Sequence, residues 1–136
     1  MDDIIRTMRI SGSGMRAQGQ RLRVIAQNIA NANSLPQEPN ENPYRRKILT
    51  FRNEFDRAVG LEMVKVNRVR ADMSEFNRRY EPSHPAADAD GYVLTPNVNT
   101  IIEMTDMREA QRSYEANMNV IKTSKSMLSS ALELLR

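Results

Sequence analysis

The last forty residues of the chain, Asn97 to Arg136, constrain the fold most strongly. They contain no glycine or proline, and apolar or aromatic residues recur at seven-residue spacing: Met107, Tyr114, Ile121, Leu128 and Leu135. A second apolar line, interrupted by Gln111 and Lys125, comprises Met104, Met118 and Leu132. A seven-residue repeat of this length keeps one face of a helix turned toward a partner helix. The stretch therefore predicts a helix of about 60 Å. A helix of this length extends beyond any small globular core, so its apolar face must pack against another partner.

The first segment, which ends near Asn33, has the same seven-residue period. Its stripe comprises Met8, Met15, Leu22 and Ile29 and is widened by Ile5, Ile25, Ala26 and Ala32. Three glycines weaken this helix by roughly 1 kcal/mol each and also let a partner backbone come close. Because asparagine tolerates the left-handed cap conformation, Asn28, Asn31 and Asn33 predict the end of the helix.

The shared period predicts that the two terminal helices pair with each other as an antiparallel coiled coil, or pair with copies of themselves. The residues expected to carry helix pairing and self-assembly are Met8, Met15, Leu22, Ile25, Ile29, Met104, Met107, Tyr114, Met118, Ile121, Leu128, Leu132 and Leu135. Isolated helices of this kind depend on tertiary packing. We therefore expect both ends to be largely unfolded in a dilute monomer and to fold on assembly.

The middle of the chain predicts a small, partly irregular β-rich segment. Residues 34–43 hold three prolines and form a polar connector. Two strands are predicted, Tyr44–Phe51 and Leu61–Val69, with Gly60 at the turn before the second. Phe76–Tyr80 extends the sheet or is a loop, and residues 81–90 form a loop before the turn signal at Asp90–Gly91. After it, Asn97 or Asn99 is expected to cap the long helix, and Thr100 with Glu103 fits a capping box.

The predicted fold class is mainly α, with a short irregular β segment between two long helices. The predicted domains are a helical coiled-coil domain, formed by residues 1–33 and 97–136, and a loop and β-rich insert of residues 34–96. A middle of this size is near the lower limit for an independent core.

No pattern in the chain points to catalysis, a cofactor or a metal. His84 is the sole histidine; the nearest acids are Asp88 and Asp90, and no nucleophile is recognisable near it. The Asp88–Gly91 run departs from a calcium loop, because its glycine comes too early and Asn99 stands where the bidentate glutamate belongs. With no cysteine in the chain, thiolate chemistry and disulfides are excluded.

Charge and hydropathy leave two binding alternatives open. The net charge is +3, and residues 44–80 carry ten basic against five acidic side chains. The first segment carries five arginines among its apolar positions. The alternative function is thus a basic helical adaptor that binds nucleic acid or a membrane surface. No apolar run reaches the length of a membrane span, and the first residues do not form a cleaved secretory signal.

Several motifs resemble those of a known family, the bacterial flagellar rod and hook proteins. Residues 13–18 and 24–33 are similar to its N-terminal signature, and residues 103–104 and 110–117 to its C-terminal one. Residues 80–82, 88–93 and 96–99 are similar to a narrower subgroup, the proximal rod proteins of the basal body. Met15 and Ser34 depart conservatively from the usual leucine and threonine. The signature residues singled out are Gly14, Asn28, Asn31, Asn33, Tyr114, Glu115 and Asn117.

The resemblance implies a structural subunit without catalysis or cofactor. Such subunits pass unfolded through the flagellar type III export apparatus without a cleaved signal peptide. They polymerise helically through paired terminal helices into the rod, the drive shaft for motility that crosses the periplasmic space. Implied partners are copies of the chain, other proximal and distal rod proteins, the adaptor joining rod to membrane ring, and the export apparatus; neither nucleic acid nor a membrane span is implied.

Overall fold

The computed structural model describes residues 2–39 and 41–134, with a long helix at each end and two small β-sheets between. The helices are α1 (Asp2–Ala30) and α2 (Thr100–Glu133). The strands are β1 (Lys47–Asp56), β2 (Leu61–Ala71), β3 (Asn77–Tyr80) and β4 (Tyr92–Thr95). The predicted terminal helices and small β-rich middle are confirmed, while Leu135 lies outside the described residues.

Helix α1 runs through all three of its glycines and ends at Ala30. Asp2 and Asp3 lie in its first turn, where negative charge complements the helix dipole. At the other end, the backbone N–H and the side-chain amide of Asn31 both donate to the Gln27 carbonyl, at 3.1 and 2.8 Å. The asparagine-rich stretch therefore satisfies carbonyls of the last turn, as its position predicted, although the helix ends three residues before Asn33.

Helix α2 is capped by Asn99, one of the two predicted caps. Its Oδ1 accepts hydrogen bonds from the N–H groups of Ile101 (3.0 Å) and Ile102 (3.4 Å). The predicted capping box is wrong, because the Glu103 side chain is bound to Arg46 instead of the helix start. Glu103 thus pairs with a residue distant in sequence instead of with the first residues of its own helix.

Strands β1 and β2 form a two-stranded sheet. The Thr50 hydroxyl meets the Arg68 carbonyl at 3.5 Å, and Glu54 pairs with Lys65, so the strands run antiparallel. Gly60 closes the turn with a φ of 67°, as predicted. Strand β1 begins at Lys47, three residues later than the predicted Tyr44, and continues past the predicted end at Phe51 to Asp56. Backbone pairing with β2 extends it beyond the apolar residues on which the prediction relied.

Strands β3 and β4 form a second antiparallel pair, in register from Asn77 opposite Thr95 to Tyr80 opposite Tyr92. The rings of Tyr80 and Tyr92 meet edge to face, with centroids 5.3 Å apart. Gly91 has a φ of 82°, but it closes the longer loop 81–91 instead of a two-residue turn. There the Glu81 N–H donates to the Gly91 carbonyl at 2.9 Å. The stretch before this loop is a strand and not a loop, but it pairs with β4 in a separate sheet instead of extending the sheet of β1 and β2.

The chain divides into two compact units, each containing parts of both helices and of the middle segment. Unit 1 is the described part of Met1–Leu22, Leu49–Arg68 and Arg108–Arg136, and unit 2 is Arg23–Ile48 with Val69–Met107, except for the undescribed residue 40. The buried apolar residues of unit 1 are Ala17, Met63 and Ala110, and those of unit 2 are Val24, Ile25, Ala32, Ala86, Val93 and Val98. The division into a helical domain and a β-rich insert, inferred above from chain order, stays a prediction.

Neither helix, over the residues described, contains a stretch long and apolar enough to cross a bilayer.

Candidate functional site

A buried carboxylate organises the interior of unit 2. Glu103, in the first turns of α2, is only 1% exposed, as is Asn28 near the end of α1. The guanidinium of Arg46 donates to one Glu103 oxygen at 2.6 Å, and the amide of Asn28 donates to the other at 3.1 Å. A buried charge is costly unless it is paired and hydrogen-bonded, and here both carboxylate oxygens have donors. These contacts tie both helices to the residue that precedes β1.

Asn28 uses its whole amide group in this network. Besides Glu103, its Nδ2 donates to the Lys47 carbonyl at 2.9 Å. Its Oδ1 accepts from the Lys47 N–H and from the Tyr44 hydroxyl, both at 2.9 Å. The amide thus binds the backbone of Lys47 as a neighbouring strand would, which helps to place the start of β1 at that residue. An aspartate or a leucine of similar size could not both donate and accept in this way.

Arg46 is held by further acids in the same unit. Its guanidinium lies 3.5 Å from Asp72 and 3.8 Å from Asp106. Burial by itself lowers the pKa of Arg46, but the hydrogen bonds and charges of Glu103 and Asp72 outweigh it, so the pKa is raised overall. The pKa of Tyr44 is also raised, first by burial and then by the negative charge of Glu103. Both groups therefore favour the protonated form on which the network depends.

The segment after β2 is anchored from two sides. Asn97 accepts from the Arg46 N–H at 2.8 Å and donates to the carbonyls of Asp72 (3.0 Å) and Ser74 (3.3 Å). Arg45 donates to the same two carbonyls, and its guanidinium lies 4.1 Å from the centre of the Phe76 ring. The pKa of Asp72 is lowered, chiefly by hydrogen bonds from Ser74 and also by Arg46. The segment is consequently fixed to the network and not a free loop.

In unit 1 the two helices meet at Gly14 and Asn117. A Cβ atom built on Gly14 would lie 3.0 Å from Nδ2 and 3.1 Å from Oδ1 of Asn117. Arg21 and Glu109 form an ion pair at 3.6 Å in the same unit. Since the higher number in α1 meets the lower number in α2, the helices run in opposite directions within this unit. Gly14 lets the Asn117 side chain pack directly against the α1 backbone.

The predicted assembly residues have unequal burial. Ile25 is buried, and nine others are half-buried: Met8, Met15, Leu22, Ile29, Met107, Tyr114, Met118, Ile121 and Leu128. Met104 and Leu132 are 52% and 53% exposed, so the single chain does not bury them. A different seven-residue line is the most inward on α2, namely Glu103, Ala110, Asn117, Ser124 and Ala131. A search for large apolar residues misses this line, because its members are small or polar.

Among the predicted signature residues, Gly14, Asn28 and Asn117 lie at contacts between helices, and Asn31 binds the last turn of α1. Tyr114 is half-buried, whereas Asn33 and Glu115 are exposed. The sequence predicted no assembly role for Tyr44, Arg46, Asp72, Asn97 or Glu103, although Asn97 and Glu103 lie within motifs that resemble the rod family. One signal was available, since Glu103 lies seven residues before Ala110 and fourteen before Asn117.

The described residues contain no group of three or more histidine or acidic side chains placed to hold a metal ion. His84 has a local role, because its Nδ1 accepts the Ala86 N–H at 3.1 Å within the loop 81–91. The buried and half-buried polar side chains around Glu103 hydrogen-bond to one another. Their arrangement is that of a structural joint.

Two family models match the chain. Residues 8–34 match the family described as flagella basal body rod protein. Residues 89–134 match the family described as flagellar basal body rod FlgEFG protein C-terminal. The first match includes Gly14 and Asn28, and the second includes Glu103 and Asn117, so both cover the interhelical contacts described above.

Curated relatives match over almost the full length. A protein of Agrobacterium fabrum is 46% identical over 136 residues, covering 100% of this chain and 98% of the relative. A protein of Escherichia coli O6:H1 is 42% identical, with 92% of each chain covered. A protein of Bacillus subtilis is 34% identical, covering 94% of this chain and 95% of the relative. All three are named flagellar basal-body rod protein FlgC.

Proposed function

This chain belongs to the family of flagellar basal-body rod proteins FlgC, and from that premise we propose how it builds the rod. It is a structural subunit of the proximal rod, it is not an enzyme, and it assembles with other rod components. We propose that α1 and α2 pair as an antiparallel coiled coil, and that neighbouring subunits cover the apolar residues this pairing leaves exposed. Polymerisation through these helices then forms the drive shaft for motility.

The observation that supports this proposal is the division of residue types around α2. Its most inward line is small or polar, which lets α1 approach closely at Gly14. Its large apolar residues lie elsewhere, with Ile101 75% exposed and Met104 and Leu132 each above half. Single exposed apolar residues are ordinary on a protein surface, but a helix that exposes several of them favours further helix contacts.

Proposed partners are further copies of the chain, the other proximal and distal rod proteins, the adaptor between rod and membrane ring, and the type III export apparatus. We also propose a position in the periplasmic space that is reached without a cleaved signal peptide. The alternative function as a nucleic-acid- or membrane-binding adaptor is not favoured. Several basic side chains of the middle segment already have partners within the chain. Arg45 and Arg46 are bound in unit 2, and Arg52 and Lys65 pair with Glu54.

The test is a charge placed on the half-buried seam. Leu22→Asp should abolish swimming and remove the chain from isolated rods, because a carboxylate would have to be buried in the helix contact. Gln20→Asp, at an exposed polar position of the same helix outside the apolar stripe, is the matched control and should leave swimming intact. Swimming and rod incorporation at normal levels with Leu22→Asp would contradict the helix-pairing proposal.

A further inference from the structure

Unit 2 presents one large apolar side chain on a rigid support. Met73 is 78% exposed, although both of its neighbours are anchored. The carbonyls of Asp72 and Ser74 each accept from Arg45 and from Asn97, at 3.0 to 3.3 Å. In addition, the Asp72 N–H donates to the Arg46 carbonyl at 2.7 Å. The backbone on either side of Met73 is therefore fixed before any partner binds.

Such an arrangement reduces the cost of binding, because ordering a loop on association consumes affinity. Methionine is an adaptable apolar side chain that suits insertion into a pocket. We call the exposed Met73, together with the exposed Glu75 two residues further along the chain, the Met73 knob. The knob joins an apolar tip to a negative charge, so its receptor should join an apolar floor to a positive rim.

Unit 1 contains a groove of that kind, with a volume of about 570 Å³. Its apolar floor comprises Ile5, Met8, Val59, Met63 and Leu128. Arg9 and Arg16 line the same groove, both are exposed, and neither forms an ion pair within the residues the structure describes. Asp56 also lines it and accepts the Ala58 N–H at 3.0 Å, so two positive side chains face one negative side chain and the charged lining stays positive overall. We call this site the Arg9 groove.

We propose that the Met73 knob of one copy docks into the Arg9 groove of a second copy, with Glu75 beside Arg9 and Arg16. The inference rests on the proposed function as a rod subunit and names one of its subunit contacts. Charge complementarity selects the pair, because the basic rim matches the acidic side of the knob. Because the knob and the groove are different surfaces of one chain, each copy can offer its knob to one neighbour and its groove to another, which is a head-to-tail contact. Repeated contacts of that kind generate a ring or a helical assembly, as a rod requires.

The test uses the natural absence of cysteine in this chain. Cells are supplied with two full-length variants, Met73→Cys and Ile5→Cys, of which one carries an epitope tag, and isolated basal bodies are treated with a short bis-maleimide. A cross-linked pair containing one of each variant is expected. The control replaces Ile5→Cys by Phe55→Cys, which is exposed in the same unit but does not line the groove, and should give no pair.

Swimming of the same cells reports the rod function separately. Swimming cells whose basal bodies lack the Met73–Ile5 pair would overturn the docking and leave the rod function standing. A cross-link from Met73→Cys to a different rod component would equally overturn the second copy as occupant. If Met73→Cys and Ile5→Cys both fold normally but neither is found in the basal bodies, the result would instead count against the rod function itself.

A charge exchange gives an independent test on purified full-length chain. Met73→Asp should weaken self-association roughly tenfold to a hundredfold, by the loss of one buried methionine side chain. Glu75→Arg should weaken it too, and combining Glu75→Arg with Arg9→Glu and Arg16→Glu should restore it. Sedimentation at several concentrations measures the effect. Association unchanged by Met73→Asp would overturn the proposal.

Discussion

Units 1 and 2 use the same two helices in opposite ways. In unit 2 the helices are joined through a charged, fully hydrogen-bonded network at Glu103, with Asn28 and Arg46 as its donors. In unit 1 they meet through the small contact of Gly14 with Asn117, and apolar grooves stay open beside them. One pair of helices thus carries an internally satisfied joint and a surface with unfilled space. The difference indicates that the network of unit 2 fixes how the two helices are joined there, whereas unit 1 leaves apolar grooves open beside them.

The hydrogen-bonded network of Asn28, Tyr44, Arg46 and Glu103, which we call the polar joint, costs desolvation energy but restricts the arrangement of the helices. Burying Glu103 and Arg46 removes charges from water, so the pair by itself adds little net stability. Its hydrogen bonds, however, accept few alternative arrangements, because every donor and acceptor has a defined direction. Apolar side chains in unit 1 tolerate small shifts, especially Met8 and Met63 at the groove. Tolerance of this kind suits contacts with several non-identical partners.

The strongest test of the comparison removes the cation from the joint. Arg46→Met leaves the Glu103 carboxylate buried with only the Asn28 amide as donor, so the free energy of unfolding should fall by about 3 kcal/mol. Urea unfolding followed by circular dichroism measures it. Arg52→Met is the matched control, since Arg52 pairs with Glu54 on the exposed face of the hairpin, and it should leave unfolding unchanged. Equal effects of the two variants would erase the distinction between the joint and a surface ion pair.

The second test compares two glycines of α1 in unit 1. A Cβ on Gly19 meets nothing within 4 Å, so Gly19→Ala should stabilise the helix by roughly 0.5 to 1 kcal/mol. Gly14→Ala gains the same helix propensity but presses on the Asn117 side chain, which must shift, and we expect it to be about 1 kcal/mol less stable than Gly19→Ala. Thermal unfolding of both variants checks the difference. Identical stabilisation would mean that close approach at Gly14 is not required.

The third test concerns Tyr44, whose expected effect is no larger than that of the glycine variants. Tyr44→Phe removes the donor to Asn28 and should cost about 1 kcal/mol at neutral pH. Because the folded pKa of Tyr44 is raised above its ordinary value of 10.0, its contribution is fully present below pH 10 and is lost as the pH rises through the folded pKa. Stability of the natural chain should thus decline more steeply above pH 10 than that of Tyr44→Phe. Parallel alkaline declines in titrated melting curves would show that Tyr44 is not linked to the joint.

Local patterns predicted the elements of this protein better than its contacts. The apolar period of the two ends, the prolines of residues 34–43 and the glycine at position 60 each act within a few residues, and the structure has helices, connector and turn where they indicated. For the same reason neighbouring residues predicted Asn97 or Asn99 as the cap of α2, and Asn99 is the one observed. The predicted bounds of strand β1 differ from the observed ones. The Asn28 side chain, which is distant in sequence, binds the backbone where the strand begins, and pairing with β2 extends its end.

The sequence by itself determined that this chain has two long amphipathic ends, no thiol chemistry and the signatures of a rod subunit, because period, composition and short motifs are properties of neighbouring residues. Only the tertiary structure decided that Glu103 leaves its capping box for Arg46, 57 positions away, and that Asn117 lies against Gly14. It also decided which apolar residues of α2 remain exposed. Burial and pairing depend on what the fold brings close. Once Glu103 is buried, leaving its charge unpaired would cost more free energy than the loss of a local cap hydrogen bond.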